Sequence, residues 1–196
     1  MKVLVAGSGG WGTALAMVLH RNGNQVFLWS YCQEESDHLK KTHRNPFLPG
    51  VDLPEEMIFT SHCEDAAEAD MVVFASPSFA VRATAKSFAP YLREDAVIVC
   101  VTKGIEQGTG CRMTQVIGQE TGRTVVALSG PSHAEEVSRQ IPTGVVAACE
   151  DKLHRTTHIE ECRIVPAVSL CRLLRLNASD YTIVTGVLKA KTSCHN

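Results

Sequence analysis

Val3-Leu4-Val5-Ala6-Gly7-Ser8-Gly9-Gly10-Trp11-Gly12-Thr13-Ala14-Leu15-Ala16-Met17-Val18-Leu19 is the stretch on which the reading of this chain turns. Four apolar residues read as a buried strand, the G-x-G-x-x-G run at 7–12 breaks it, and a helical apolar pattern follows. Gln25-Val26-Phe27-Leu28-Trp29 supplies a second strand a few residues later. In that setting the glycines have separate tasks. Gly7 permits a tight turn, Gly9 lets the backbone approach a pyrophosphate, and Gly12 lets the helix pack closely on the strand. The N–H groups at the helix start have no intrahelical partners and suit phosphate.

Outward from the turn, short β-rich runs alternate with helical stretches, the pattern of a parallel sheet covered on both faces. Strands are expected near 2–6, 25–29, 57–60, 70–75, 96–101, 124–128 and 143–148. Helices are expected near 11–22, 33–42, 79–90 and 111–120, with a shorter one starting near Ser132. The fold class is α/β, a Rossmann-type doubly wound, mostly parallel sheet. His43-Arg44-Asn45-Pro46-Phe47-Leu48-Pro49-Gly50 interrupts the alternation with two prolines and a glycine and predicts a long ordered loop. Past residue 150 the composition shifts, since Gly186 is the only one of 14 glycines found there. The expected division is therefore a dinucleotide-binding domain over 1–150 and a short, non-matching tail over 151–196.

A formal net charge of −2 gives no electrostatic reason to bind nucleic acid or an anionic membrane. The opening apolar run is too short for a signal peptide, and no 18-residue apolar run exists, so the expectation is a cytoplasmic protein without membrane insertion. The eight cysteines show no C-x-x-C or other ligand-like spacing. They are read as reduced thiols, with no metal site; Cys100 and Cys149 in particular read as inert core thiols.

The end of the second strand should meet the adenosine ribose. It reads Ser30-Tyr31-Cys32, with no acid before Glu34 and Glu35, so Ser30 and Tyr31 are the candidates there. The cofactor stays open between NAD and NADP, the missing acid favouring NADP. Ala75-Ser76-Pro77-Ser78-Phe79 and Val101-Thr102-Lys103-Gly104 end two further strands, where sheet-edge loops converge on ligands; Pro77, Phe79 and Lys103 are candidates there. Ser132 reads as an N-cap, with Glu135 three residues on completing a capping box.

G-x-G-x-W-G-T-A-L-A (7–16), N-P-x-L-P-G (45–50), Pro77-Ser78, V-T-K-G-I-E (101–106), L-S-G-P-S-x-A-E-E-V (128–137) and P-T-x-V-V-A (142–147) together resemble the NAD(P)-dependent glycerol-3-phosphate dehydrogenases over residues 1 to about 150. The resemblance implies hydride transfer between NAD(P)H and dihydroxyacetone phosphate or sn-glycerol 3-phosphate, supplying glycerol 3-phosphate for phospholipid synthesis. It places Gly10, Trp11, Lys103 and Ala134 against the dinucleotide, and Lys103, Gly130 and Ser132 against a small phosphorylated three-carbon substrate, with Lys103 a catalytic candidate. Gly10 stands where the family commonly has serine, and Tyr31 where it is often basic or His. His133 occupies a place usually held by an apolar aromatic and is expected to pack. A homodimer is compatible with this reading.

The resemblance further implies an all-helical substrate domain with a G-A-L-K-N motif, whose lysine moves the proton. Gly186-Val187-Leu188-Lys189-Ala190 is similar to that motif and makes Lys189 a second catalytic candidate. The family's phosphate-clamping arginine and asparagine are expected beyond residue 196. The tail then reads as a divergent or truncated remnant, or as the product of a shifted frame. The competing function is a catalytically inactive dinucleotide-binding fragment.

Overall fold

The computed structural model describes residues 1–149 and the backbone of the strand at 182–188. Its strands are β1 (Lys2–Ala6), β2 (Gln25–Trp29), β3 (Ile58–Thr60), β4 (Met71–Phe74), β5 (Val97–Cys100), β6 (Val125–Ser129), β7 (Thr143–Cys149) and β8 (Thr182–Leu188). The helices are α1 (Gly10–Arg21), α2 (Gln33–Thr42), α3 (Val81–Phe88), α4 (Met113–Thr121) and α5 (Ala134–Ser138). All strands join one sheet in the order β3-β2-β1-β4-β5-β6-β7-β8. Pairings from β3 through β6 are parallel, whereas β6–β7 and β7–β8 are antiparallel. The order reverses direction at β1 and β4, and a doubly wound sheet binds its ligand at such a switch point.

The alternation of side chains along β1 shows why both faces must be covered. Val3 and Val5 join one core with Leu15 and Leu19 of α1, Leu28, Val73 and Val137. Leu4 and Ala6 point the other way, into a core with Phe74, Val81 and Phe88 of α3, and Val116 and Ile117 of α4. Residues 3–6 of β1 are fully buried, which accounts for its unbroken apolar run.

The expected elements form within a few residues of their expected bounds. The helix expected over 79–90 is divided, with short 3-10 turns at Ser78–Ala80 and Ala89–Tyr91 flanking α3; at the second, Pro90 lacks the N–H that would continue the α-helical ladder. Residues Cys63–Glu68 form a 3-10 helix and Thr182–Leu188 form β8; neither was expected. The 45–50 loop is ordered as anticipated, with Leu48 and Leu53 buried in the core of α1 and an Arg44–Asp52 bridge at its base.

Candidate functional site

The glycine turn lies at the carboxyl edge of the sheet, between β1 and α1, and its glycines do different work. Gly7 has φ +137°, and a Cβ there would lie 2.7 Å from the carbonyl carbon of Ala75. At Gly12 a Cβ would sit 2.0 Å from the Gly7 oxygen, so α1 could not approach β1 with any side chain in place. Gly9 is different: its φ of −63° suits any residue, and a Cβ there would meet nothing within 4 Å. α1 has no side-chain N-cap and no acid in its first turn. Its leading N–H groups therefore have no side-chain cap and carry the polarity that suits an anion.

Gly10 carries a second constraint. A Cβ there would be 2.6 Å from the Phe47 carbonyl oxygen and 3.7 Å from Cβ of Ala134. The 45–50 loop occupies the space a side chain would need, which explains glycine at this position and brings Ala134 beside the turn. Trp11 is half-buried against the core under α1, and its Nε1 has no hydrogen-bond partner among the described residues.

Asn45 ties the loop to the turn and was not singled out from the sequence. Its Nδ2 donates to the Ser8 carbonyl at 2.7 Å and to Thr13 Oγ1 at 2.6 Å, while its Oδ1 accepts from the Phe47 N–H at 2.9 Å. Asparagine opening a loop motif was the available signal, but contacts 32 and 37 residues away were not.

The substrate candidates also come together. Lys103 Nζ donates to the Gly130 carbonyl at 3.2 Å, and Thr102 Oγ1 donates to the Ser76 carbonyl at 2.7 Å. A Cβ on Gly130 would lie 2.4 Å from the Gly144 oxygen, so glycine is required for the turn to pass β7. Lys103 and Pro77 are exposed, and Phe79 is 90% exposed on the same edge. Arg82 holds the loop after β5: its guanidinium donates twice to the Glu106 carboxylate at 2.7 Å and once to Glu120. The Glu106 carboxyl is held down to about 2, first by the Arg82 hydrogen bonds and then by the Thr109 hydroxyl. Cys100, buried in β5, is pushed up to about 11 by desolvation, and Cys149 is buried as well. Both behave as core thiols.

Two expectations around residue 132 are corrected. The N-cap of α5 is His133 with no side-chain cap bond, and Ser132 is buried with its hydroxyl 3.5 Å from the Gly130 carbonyl. The capping box fails because α5 starts one residue later than the motif requires, which leaves Glu135 at the second helical position. His133 is exposed rather than packed, because the N-cap position faces it away from the two cores.

At the end of β2, Ser30 is fully buried and donates from Oγ to Ser8 Oγ at 2.9 Å. Tyr31 is 87% exposed, its ring edge-on to Trp29. An acid from α2 reaches the turn beside them. Glu35, third residue of that helix, accepts a hydrogen bond from Ser8 Oγ at 2.8 Å. A helical side chain points back toward the N-terminus of its helix, which returns Glu35 to the glycine turn.

The family model of the NAD-dependent glycerol-3-phosphate dehydrogenase N-terminus matches residues 2–154. The chain belongs to that family. A Lactobacillus delbrueckii glycerol-3-phosphate dehydrogenase [NAD(P)+] is 42% identical over 159 residues, covering 77% of this chain and 47% of that protein. The corresponding Pelotomaculum thermopropionicum protein is 41% identical and is covered to 50%. That alignment takes in 89% of this chain, more than residues 1–150 can supply, so similarity runs into the tail. Among solved structures, glycerol-3-phosphate dehydrogenase from Coxiella burnetii superposes with a TM-score of 0.69 at 32% identity, over 74% of this chain and 45% of its own. The Saccharomyces cerevisiae enzyme gives 0.65 at 27%, over 71% and 44%. The chain thus spans about half the length of the relatives it matches. Lys189 lies outside the described residues, though Gly186, Val187 and Leu188 of the G-V-L-K-A stretch belong to β8, an extended rather than a helical setting. Among the described residues no helix is long and apolar enough to cross a membrane.

Proposed function

We propose that this chain binds NADH or NADPH across the 7–12 turn. There it serves hydride transfer between the nicotinamide and dihydroxyacetone phosphate or sn-glycerol 3-phosphate, in the cytoplasm, supplying glycerol 3-phosphate for phospholipid synthesis. The observation that carries the reading is the open space over Gly9 at the uncapped start of α1. Gly7, Gly10 and Gly12 are each explained by a close backbone neighbour, but nothing within the described fold requires glycine at position 9. The dinucleotide supplies the hydride when bound; the chain's residues bind, orient and balance charge.

The Gly9 and Gly10 backbone takes the pyrophosphate, and Ala134, beside Gly10, borders it. Pro77 and Phe79 flank the nicotinamide side of the same edge. The Lys103 ammonium, already placed by the Gly130 carbonyl, meets the substrate oxygen on which negative charge develops, while Gly130 and Ser132 contour that side of the pocket. Lys189 is the candidate for proton transfer to the alcohol oxygen.

Gly9→Val is the direct test. It should leave the thermal midpoint unchanged, since its Cβ meets nothing, and should abolish NADH and NADPH binding in calorimetry by blocking the pyrophosphate. Equal affinity before and after the substitution overturns the reading. Lys103→Met should lower the rate of dihydroxyacetone phosphate reduction at saturating cofactor by about 10²–10³-fold. Cofactor binding by the unsubstituted chain without measurable turnover would confine it to the nucleotide-binding role.

A further inference from the structure

We infer that Glu35 sets the cofactor preference of this site, holding the 2′-hydroxyl of the adenosine ribose and turning away a 2′-phosphate, so that the chain is selective for NADH over NADPH. The inference rests on the dinucleotide reading above and adds the choice between its two forms. Ser8 lies inside the glycine turn, and the adenosine ribose of a dinucleotide bound there comes to the adjoining end of β2. The Ser8 hydroxyl has its donor committed to Glu35 Oε1 at 2.8 Å and its acceptor committed to Ser30 Oγ at 2.9 Å. With Ser30 fully buried and Ser8 buried beside it, this relay runs from the interior outward and ends on the half-exposed carboxylate. Its second oxygen accepts no hydrogen bond among the described residues, leaving it for a ribose hydroxyl.

The surroundings act in the same sense. Residues 30–36, which follow β2, and 60–66, at the end of β3, contain Glu34, Glu35, Glu64 and Asp65 and no lysine or arginine. His62 is there, but it faces Glu64 at 3.4 Å. Arg44, at the base of the neighbouring loop, is engaged by Asp52 at 2.9 Å. Recognition of a 2′-phosphate calls for a guanidinium or ammonium in place of the acid, and the exposed Tyr31 offers only a phenol. A phosphate monoester brings a charge of about −1.5 to −2. Beside a carboxylate at about 4 Å in a solvent-exposed site, this amounts to roughly a ten- to hundredfold penalty.

The test is titration of the full chain with NADH and with NADPH, repeated for Glu35→Gln. The unsubstituted chain should bind NADH at least about tenfold more tightly. Glu35→Gln should weaken NADH, strengthen NADPH and bring the two constants toward each other. Added salt screens like-charge exclusion, so raising ionic strength should narrow the preference in the unsubstituted chain, a readout that stands if the variant does not fold. Equal affinities for the two cofactors, tighter binding of NADPH, or a ratio unmoved by both substitution and salt would overturn the role of Glu35 while leaving the dinucleotide site intact. Binding of neither cofactor would instead overturn the dinucleotide reading and this inference with it.

Discussion

Replacing Asn45 by alanine should damage both stability and cofactor binding, because one buried amide holds the 45–50 loop against the glycine turn. Three hydrogen bonds disappear, at 2.6, 2.7 and 2.9 Å. The Ser8 carbonyl keeps a partner in Thr13 Oγ1 at 3.1 Å, whereas the Phe47 N–H loses the Asn45 oxygen that satisfies it. At about 1 kcal/mol for each bond, and more where a buried group is stranded, the loss is about 2–4 kcal/mol. That is a large share of the 5–15 kcal/mol typical of a domain. In a unit of this size it lowers the thermal midpoint by about 4–16 °C. The turn keeps its sequence but loses its brace, so NADH affinity should fall about tenfold as Ser8 and Gly9 must be ordered by the ligand instead. Urea unfolding followed by tryptophan fluorescence gives the first quantity and calorimetry the second. A loss below about 0.5 kcal/mol with unchanged NADH affinity would refute the assignment of Asn45 as the brace.

Gly10→Ser should destabilise the chain by about 1–3 kcal/mol, because its Cβ meets the Phe47 carbonyl at 2.6 Å and the loop must retreat; urea midpoints of the two proteins check this. The Glu106 carboxyl, held at about 2 by Arg82 against an ordinary 4.5, contributes stability that is complete above about pH 5 and is lost as pH falls toward 2. The stability difference between the unsubstituted chain and Arg82→Leu should therefore be constant from pH 7 to about 5 and shrink below that, measured by urea unfolding at a series of pH values. A difference that widens on acidification would show that Arg82 acts through some other contact.

What the sequence revealed and what it concealed divide along the range of the interactions. β1 and β4 were readable because strands buried on both faces are apolar at every position, and α1 because a strand and a glycine turn fix where it begins. Strand ends mark out Lys103 as a candidate, but the grouping of Lys103 with Gly130 and Ser132 rests on the resemblance to the family. Position along β2 leaves Glu35 too far on to face the glycine turn, whereas the carboxylate arrives from the first turn of α2 and is fixed by a hydroxyl 27 residues earlier. The capping box at Ser132 satisfies a local motif, but α5 begins at Ala134 with His133 as its N-cap. The pattern Thr182-Ile183-Val184-Thr185-Gly186-Val187-Leu188 carries β-branched residues suited to a strand. Its partner β7 ends more than thirty residues earlier in the chain, so no local pattern marks their pairing.

The glycine turn shows how much of a fingerprint is evidence for a ligand. Gly7 and Gly12 would be required in a protein of this fold that bound nothing, since their missing Cβ atoms make room for Ala75 and for the Gly7 carbonyl. Gly10 is required by the 45–50 loop. A match to G-x-G-x-x-G therefore reports mainly on how a strand, a turn and a helix pack. The functional information is concentrated in Gly9, whose ordinary φ and empty surroundings leave the fold indifferent to its side chain, and in the uncapped N–H groups beside it. If position 9 proves as tolerant of substitution in binding as it should be in stability, the packing explanation is sufficient and the dinucleotide reading of this turn loses its physical basis.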